Sequence, residues 1–370
     1  MTIFGTRPEI IRLSRVFAKL DKYLNHIMVH TGQSYDYEMN KIFFKDLEIR
    51  KPDYFLGVKA ETLGEQIAKI ISKSEKVLKK EMPDTLLVLG DTNSTLASIC
   101  AKRTKIPIFH MEAGNRCFDE NVPEEINRRI IDHISDINLP YSENARLYLI
   151  REGIHPGTIY VTGSPMAEVL EYYKEQIENS KVLKKLNLSR GKYFVASIHR
   201  EENVDDKESL KKLIDALNAV AEKYRMPIFL STHPRTAKRL GKYRFKAHRL
   251  INFHKPFGYF DYVHLQKNAF CALSDSGTIL EESSILQFPA IQVRNSSERP
   301  EAYDEGVAIL SGLDKDIILK SIEIVTKQFA LGERFNVPQN YKYSNVSGKV
   351  LRLIVGLTKI IKKRRGVLIT

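Results

Sequence analysis

The stretch IFHMEAGNRCFDENVPEEINRRIIDHISDINL, residues 108–139, decides the fold. It opens on a short apolar run, Ile108–His110, and breaks into a loop that carries Glu112 and Gly114. The spacing then predicts a helix over Glu124–Ser135 and a second apolar run at Ile137–Leu139. Strand, helix and strand within about thirty residues make a βαβ unit, which requires a parallel sheet.

The same alternation runs outward in both directions. Strands are expected at Ile27–His30, Leu86–Leu89 and Ile159–Val161, with helices at Glu9–Leu20 and Thr62–Lys80. Ile10, Leu13, Val16, Phe17 and Leu20 form one apolar stripe at helical spacing. A second series follows, with strands at Tyr193–Ile198, Ile228–Ser231, Leu250–Phe253, Phe270–Leu273 and Ile291–Val293. Its helices are expected near Lys207–Tyr224, Ile279–Ile285 and Lys315–Phe329, and an amphipathic helix near Val346–Lys362 closes the chain. The expected fold class is therefore α/β: two doubly wound Rossmann-like domains, residues 1–167 and 168–345, facing a cleft, then a C-terminal helix and basic tail over 346–370. Ligands of such sheets bind at the C-terminal strand ends, so chemistry is sought there.

Composition narrows the function classes. The 370 residues are 43% hydrophobic and 28% charged, ordinary for a globular protein of two domains. No apolar run approaches the ~18–20 residues that span a bilayer, and MTIFGTRPE has neither the charged leader nor the apolar core of a signal peptide. Cys100, Cys117 and Cys271 are scattered, without a CxxC, so neither a disulfide framework nor a zinc site is expected and the cytoplasm is the default. The net charge of +13 is spread along the chain, with one cluster at Lys362, Lys363, Arg364 and Arg365. No nucleic-acid-binding motif accompanies it, so a solvated tail is weighed against an anionic surface partner, and no nucleic-acid partner is expected.

Four places suit chemistry. Gly5-Thr6-Arg7-Pro8-Glu9 leads from a strand into a helix, where an anion meets free amides and Arg7; a turn capped by Pro8 is the competing reading. Ser274-Asp275-Ser276-Gly277-Thr278 repeats that setting and suits a diphosphate, with a carboxylate a turn later for ribose hydroxyls; an N-cap by Ser276 is the alternative. Asp91 and Glu112 end two successive strands and suit acid–base work, while Glu124 with Arg128, and Glu125 with Arg129, are spaced to pair along a helix. His199 and His233 each follow a strand with an arginine close behind, which suits phosphate, and Glu298-Arg299-Pro300-Glu301 adds a further turn. The absence of GxGxxG removes support for a dinucleotide cofactor, and His110-Met-Glu112 lacks the PCxxC of zinc deaminases.

In chain order, FGTRPE, LGDTNS, HMEAG, PEEINRR, HREEN, SDSG-x3-EE and ERPE resemble the non-hydrolysing UDP-N-acetylglucosamine 2-epimerases over nearly the whole chain. The resemblance implies a glycosyltransferase B type fold, a homodimer, no metal, no cofactor, and a terminal helix crossing back to the first domain. It implies Asp91, Glu112 and Glu124 as catalytic acids supported by Arg128 and His199. It implies contacts to UDP at Arg7, His199, Ser276, Gly277 and Glu282, and Arg12, His233, Thr278 and Arg299 are expected as further contacts to the UDP-sugar. The glucosamine enzymes carry lysine where this chain has Arg12 and a longer, Trp-containing loop where it has Cys117–Val122. Both features are more similar to the capsule-type branch that forms UDP-N-acetyl-L-fucosamine.

The hydrogen on sugar C2 is barely acidic, so inversion there needs an activating step. Departure of UDP from C1 supplies it, because loss of the C2 proton then leaves a neutral glycal; carboxylates and cation donors are the groups required. A glycosyltransferase of the same fold would need no trio of acids in the first domain, a hydrolysing epimerase would release free sugar, and a non-catalytic anion-binding protein would follow from charge alone.

Overall fold

The computed structural model describes residues 1–33 and 43–366. The chain divides into two units: Met1–Arg116, Pro123–Tyr172 and Gln339–Thr370 form one, Cys117–Val122 and Tyr173–Pro338 the other.

In the first unit, β1 (Thr2–Phe4), β2 (Met28–His30), β3 (Tyr54–Phe55), β4 (Leu86–Leu89), β5 (Ile108–Met111) and β6 (Ile137–Leu139) pair in the order β3-β2-β1-β4-β5-β6. Every described ladder in it is parallel. The central strands are buried along their whole length, which is why they read as unbroken apolar runs. Among the helices that cover them are α1 (Arg7–Tyr23), α2 (Leu63–Glu81) and α3 (Glu124–Ile134). Thr62 caps α2 by accepting the Glu65 amide at 3.2 Å, so a helix starts where the sequence places one.

The second unit repeats the plan. Strands β7 (Phe194–Ser197), β8 (Ile228–Ser231), β9 (Ile251–His254), β10 (Cys271–Ser274), β11 (Ala290–Gln292) and β12 (Ile309–Leu310) pair in the order β12-β11-β10-β7-β8-β9, all parallel. Counted from each unit's own first strand, both orders read 3-2-1-4-5-6, the doubly wound arrangement. Helices α4 (Lys207–Tyr224), α5 (Pro234–Tyr243), α6 (Thr278–Leu286) and α7 (Lys315–Ala330) lie in this unit. The strand order reverses between β1 and β4 in one sheet and between β7 and β10 in the other, and each reversal opens a crevice at the carboxyl ends.

The last helix, α8 (Val346–Arg364), belongs to the first unit and packs on α1. Its buried residues Val350, Ile354, Thr358 and Ile361 recur every three to four positions. The basic cluster that follows is partly engaged: Lys362 pairs with Asp84, and Arg365 pairs with Asp136. Both partners lie just before a strand begins, at the end of the sheet away from the crevice. One expected strand differs in the structure, and two observed strands were not expected. Ile159 makes only an isolated bridge to Asn138, and the two-residue edge strands β3 and β12 are too short to show a period. Among the described residues, no helix is long and apolar enough to cross a membrane.

Candidate active site

The first crevice is built around β1 and β4. Gly5 is required by close approach: a Cβ there would stand 2.1 Å from the Thr31 hydroxyl and 2.3 Å from that of Ser94. Beyond it, α1 is capped by a carboxylate of its own. Glu9 Oε2 accepts from the Gly5 amide at 3.1 Å, the Thr6 amide at 2.8 Å and the Thr6 hydroxyl at 2.7 Å. The Gly5 and Thr6 amides are therefore taken by Glu9, and of that motif Arg7 supplies the charge suited to an anion. Burial pushes the Glu9 carboxyl up to about 7 against the pull of these donors.

Asp91 and Glu112 do end adjacent strands. Leu89 pairs with Met111, the Gly90 amide donates to the Met111 carbonyl at 2.9 Å, and a Cβ on Gly90 would lie 3.7 Å from Glu112 Oε2. Each acid is held by a buried arginine. Arg128 donates to Asp91 Oδ2 through Nε at 3.0 Å and Nη2 at 2.6 Å, and through Nη1 to Glu125 at 2.8 Å. Glu125, expected to pair with Arg129 alone, thus serves both arginines, at three and four residues along α3. Arg12 donates to Glu112 Oε2, an acid of the site, and Asn115 donates to Oε1 at 3.3 Å. Glu124 is the first residue of α3, one turn before Arg128, and Asn127 ties the helix to the Asp91 carbonyl at 2.9 Å.

The second crevice is built around β7 and β10. Asp275, fully buried, accepts the His199 amide at 2.9 Å, the Arg200 amide at 2.9 Å and the Asn203 side chain at 3.2 Å. The His199 ring sits above it, Nδ1 at 3.1 Å from the carboxylate, with about a third of the side chain exposed. Burial alone pushes the Asp275 carboxyl up; the adjacent His199 ring and the amide donors outweigh it and hold the carboxyl below the usual carboxylate range. Ser276 Oγ lies 3.0 Å from the Thr278 hydroxyl and accepts the Thr278 amide at 3.3 Å, so it does cap the turn into α6. Gly277 is helical, at φ −65°, and the want of a Cβ there is steric: one would stand 2.6 Å from Glu298.

Arg299 and Glu282, both expected among the contacts to the UDP-sugar, are buried. Arg299 is fully buried, donates to the Gly277 carbonyl at 3.3 Å and pairs with Glu281 at 3.2 Å. Glu282, also buried, accepts from Gln266 at 2.9 Å. Glu298 accepts from Arg200 at 3.3 Å and from Arg294 at 3.0 Å, completing a frame around the loop. His233 caps α5 by accepting the Arg235 amide at 3.3 Å. Glu9, Asp275 and Arg294 were not read as site residues in the sequence. Asp275 alone left a signal there, as an acid one residue past a buried strand and beside Ser276.

Comparison with known proteins fits this geometry. A sequence profile described as UDP-N-acetylglucosamine 2-epimerase matches residues 18–355. A protein of that name from Methanocaldococcus jannaschii is 41% identical over 332 residues, covering 87% of this chain and 91% of its own. A solved UDP-N-acetylglucosamine 2-epimerase from Rickettsia bellii superposes with a TM-score of 0.91 at 47% identity, covering 98% of this chain and 97% of that one. The M. jannaschii enzyme solved with UDP-GlcNAc and UDP gives 0.90 at 37% identity, over 96% and 99%. The lipopolysaccharide glycosyltransferase WaaG, 13% identical with a TM-score of 0.61 over 96% and 99%, shares the fold alone. The names of these relatives favour the glucosamine reading over the L-fucosamine branch that Arg12 and the short loop suggested.

Proposed function

The chain belongs to the UDP-N-acetylglucosamine 2-epimerase family, and we propose that it interconverts UDP-GlcNAc and UDP-ManNAc by eliminating UDP and adding it back. The observation that carries this reading is the pair of carboxylates Asp91 and Glu112 at adjacent strand ends, each gripped by a buried arginine. One takes the C2 proton as the C1–O bond breaks to release UDP; the glycal formed is neutral. A carboxylate then delivers a proton to C2 from the opposite face while UDP returns to C1, so charge and atoms balance over the cycle. Glu124 is the third acid of the group, and Arg128 fixes Asp91.

The diphosphate is held by His199, His233, Ser276, Gly277 and Thr278, with Arg7 adding charge, because an anion is best stabilised by preorganised donors and a helix start. Arg299 and Glu282 act from beneath, on the loop and the helix that carry these donors. Arg12 keeps Glu112 aimed. The enzyme needs neither metal nor cofactor, works as a homodimer in the cytoplasm, and supplies an N-acetylmannosamine donor for cell-surface polysaccharide. Incubation with UDP-GlcNAc in D2O, followed by NMR, tests it: UDP-ManNAc carrying deuterium at C2 is expected. Free ManNAc would instead mean a hydrolysing enzyme, and product without deuterium would sink the elimination route.

A further inference from the structure

Glu112 stands in the left-handed region, at φ +63°, where a residue with a side chain is strained by about 1–2 kcal/mol. Two residues on, Gly114 is also left-handed, at φ +78°, and so crowded that a Cβ would meet the Ala145 carbonyl at 2.4 Å. A strained turn persists only where its surroundings over-determine it. Glu112's amide bond to the Leu139 carbonyl, at 3.1 Å, fixes one side of the turn.

The other side is fixed by a buried charge cluster that plays no part in the chemistry above. Asp132 is shielded from solvent, and both of its oxygens accept the Gly114 amide at 3.2 Å. Arg116 donates to Asp132 at 2.7 Å, to the Asn115 carbonyl at 2.6 Å, and as a fork to Glu152 at 2.7 and 2.5 Å. His110, on β5, reaches the end of β4: Nε2 is 2.8 Å from the Gly90 carbonyl, and Nδ1 is 2.9 Å from Asp132 without the alignment of a hydrogen bond. Arg128 and Asp132 are four apart on α3, so one helix face reaches Asp91 through the first and the Glu112 turn through the second.

We propose that Asp132 is a positioning residue: through Gly114 and Arg116 it holds Glu112 in its strained turn at a set place relative to Asp91. The proposal rests on the reading of Glu112 given above. A misplaced acid should still let UDP leave but reprotonate the glycal poorly. Asp132→Asn should therefore lower kcat about tenfold or more, as expected for a displaced reacting group, while KM for UDP-GlcNAc stays within about twofold. Free UDP and glycal released per epimerised sugar should rise. Glu152→Gln loosens only the outer end of Arg116 and should move the same ratio less. A merely structural role would lower the melting temperature and the active fraction but leave that ratio at its wild-type value. An unchanged ratio, in folded Asp132→Asn or, should that variant not fold, in Glu152→Gln, overturns the proposal. Failure of the underlying reading looks different: the wild type would then incorporate no deuterium at C2, or Glu112→Gln would keep full turnover, and the proposal falls with it.

Discussion

The two crevices share a topology and one device, and differ in what surrounds it. In each, the amides of the turn after the unit's first strand are taken by an internal carboxylate: Glu9 in the first, Asp275 in the second. Asp275 has the His199 ring beside it and stays ionised below the usual range. Glu9 has no ion-pair partner among the described residues, and its carboxyl is pushed up to about 7. Burial is common to both, so the charge nearby decides the sign. The difference also divides labour. After its fourth strand the second unit has the helix start Ser276–Thr278, which the proposal gives to phosphate, whereas the fourth strand of the first unit runs out to Asp91, one of the proposed acids.

The largest test of that division removes the acids. Glu112→Gln or Asp91→Asn should reduce turnover on the order of 100-fold or more, the scale of losing an acid–base group. UDP affinity measured by calorimetry should hold; a parallel loss of UDP binding would erase the distinction between the crevices. Next in size is Gly277→Asp. Its Cβ would press on Glu298 and its charge would oppose the diphosphate, so UDP binding should weaken by about 1–3 kcal/mol. Gly5→Ala is the matched change in the first unit: it should lower the melting temperature through Thr31 and Ser94, with UDP affinity unchanged once folded.

The last test concerns pH. Glu9 ionises near 4.5 in the unfolded chain and about 7 in the folded one. Between those values the folded protein holds a proton that the unfolded chain has lost, so stability falls as pH rises through that window and is level above it. The span corresponds to about 3 kcal/mol. Glu9→Gln should therefore gain on the wild type by a few degrees of melting temperature between pH 5 and pH 8. Parallel curves would show that Glu9 does not titrate there. For Asp275 the sign reverses: its lowered carboxyl contributes stability above the unfolded value of 3.8 that is lost as pH falls through the folded one. Asp275→Asn should flatten the acid limb of the curve.

Much of this was legible in the sequence because buried parallel strands are short apolar runs and their ends carry the loops. The four-residue strands β4 and β8 coincide with the expected ones, as does helix α4 over Lys207–Tyr224. What escaped was governed by contacts distant along the chain. Spacing can offer Arg128 a partner four residues away, but Asp91, 37 positions earlier, takes two of its donors. No local pattern says that Arg299 turns inward to the Gly277 carbonyl, 22 positions away, or that Asp132 lies under Gly114. Nor could the basic tail be placed: Lys362 and Arg365 find Asp84 and Asp136, more than two hundred residues upstream.

That last helix also sets an order of events. The unit that holds the proposed acids is begun by the first residues of the chain and finished by α8, with the whole of Tyr173–Pro338 made in between. On the ribosome, the second unit has all its strands before the covering helix of α1 exists. Until α8 emerges, the apolar surface that Val350, Ile354 and Ile361 will bury stays open to water. A nascent chain can thus complete its second unit while the unit that carries the proposed acids still lacks its covering helix, so completion of that unit waits for α8 rather than for emergence of the acids themselves.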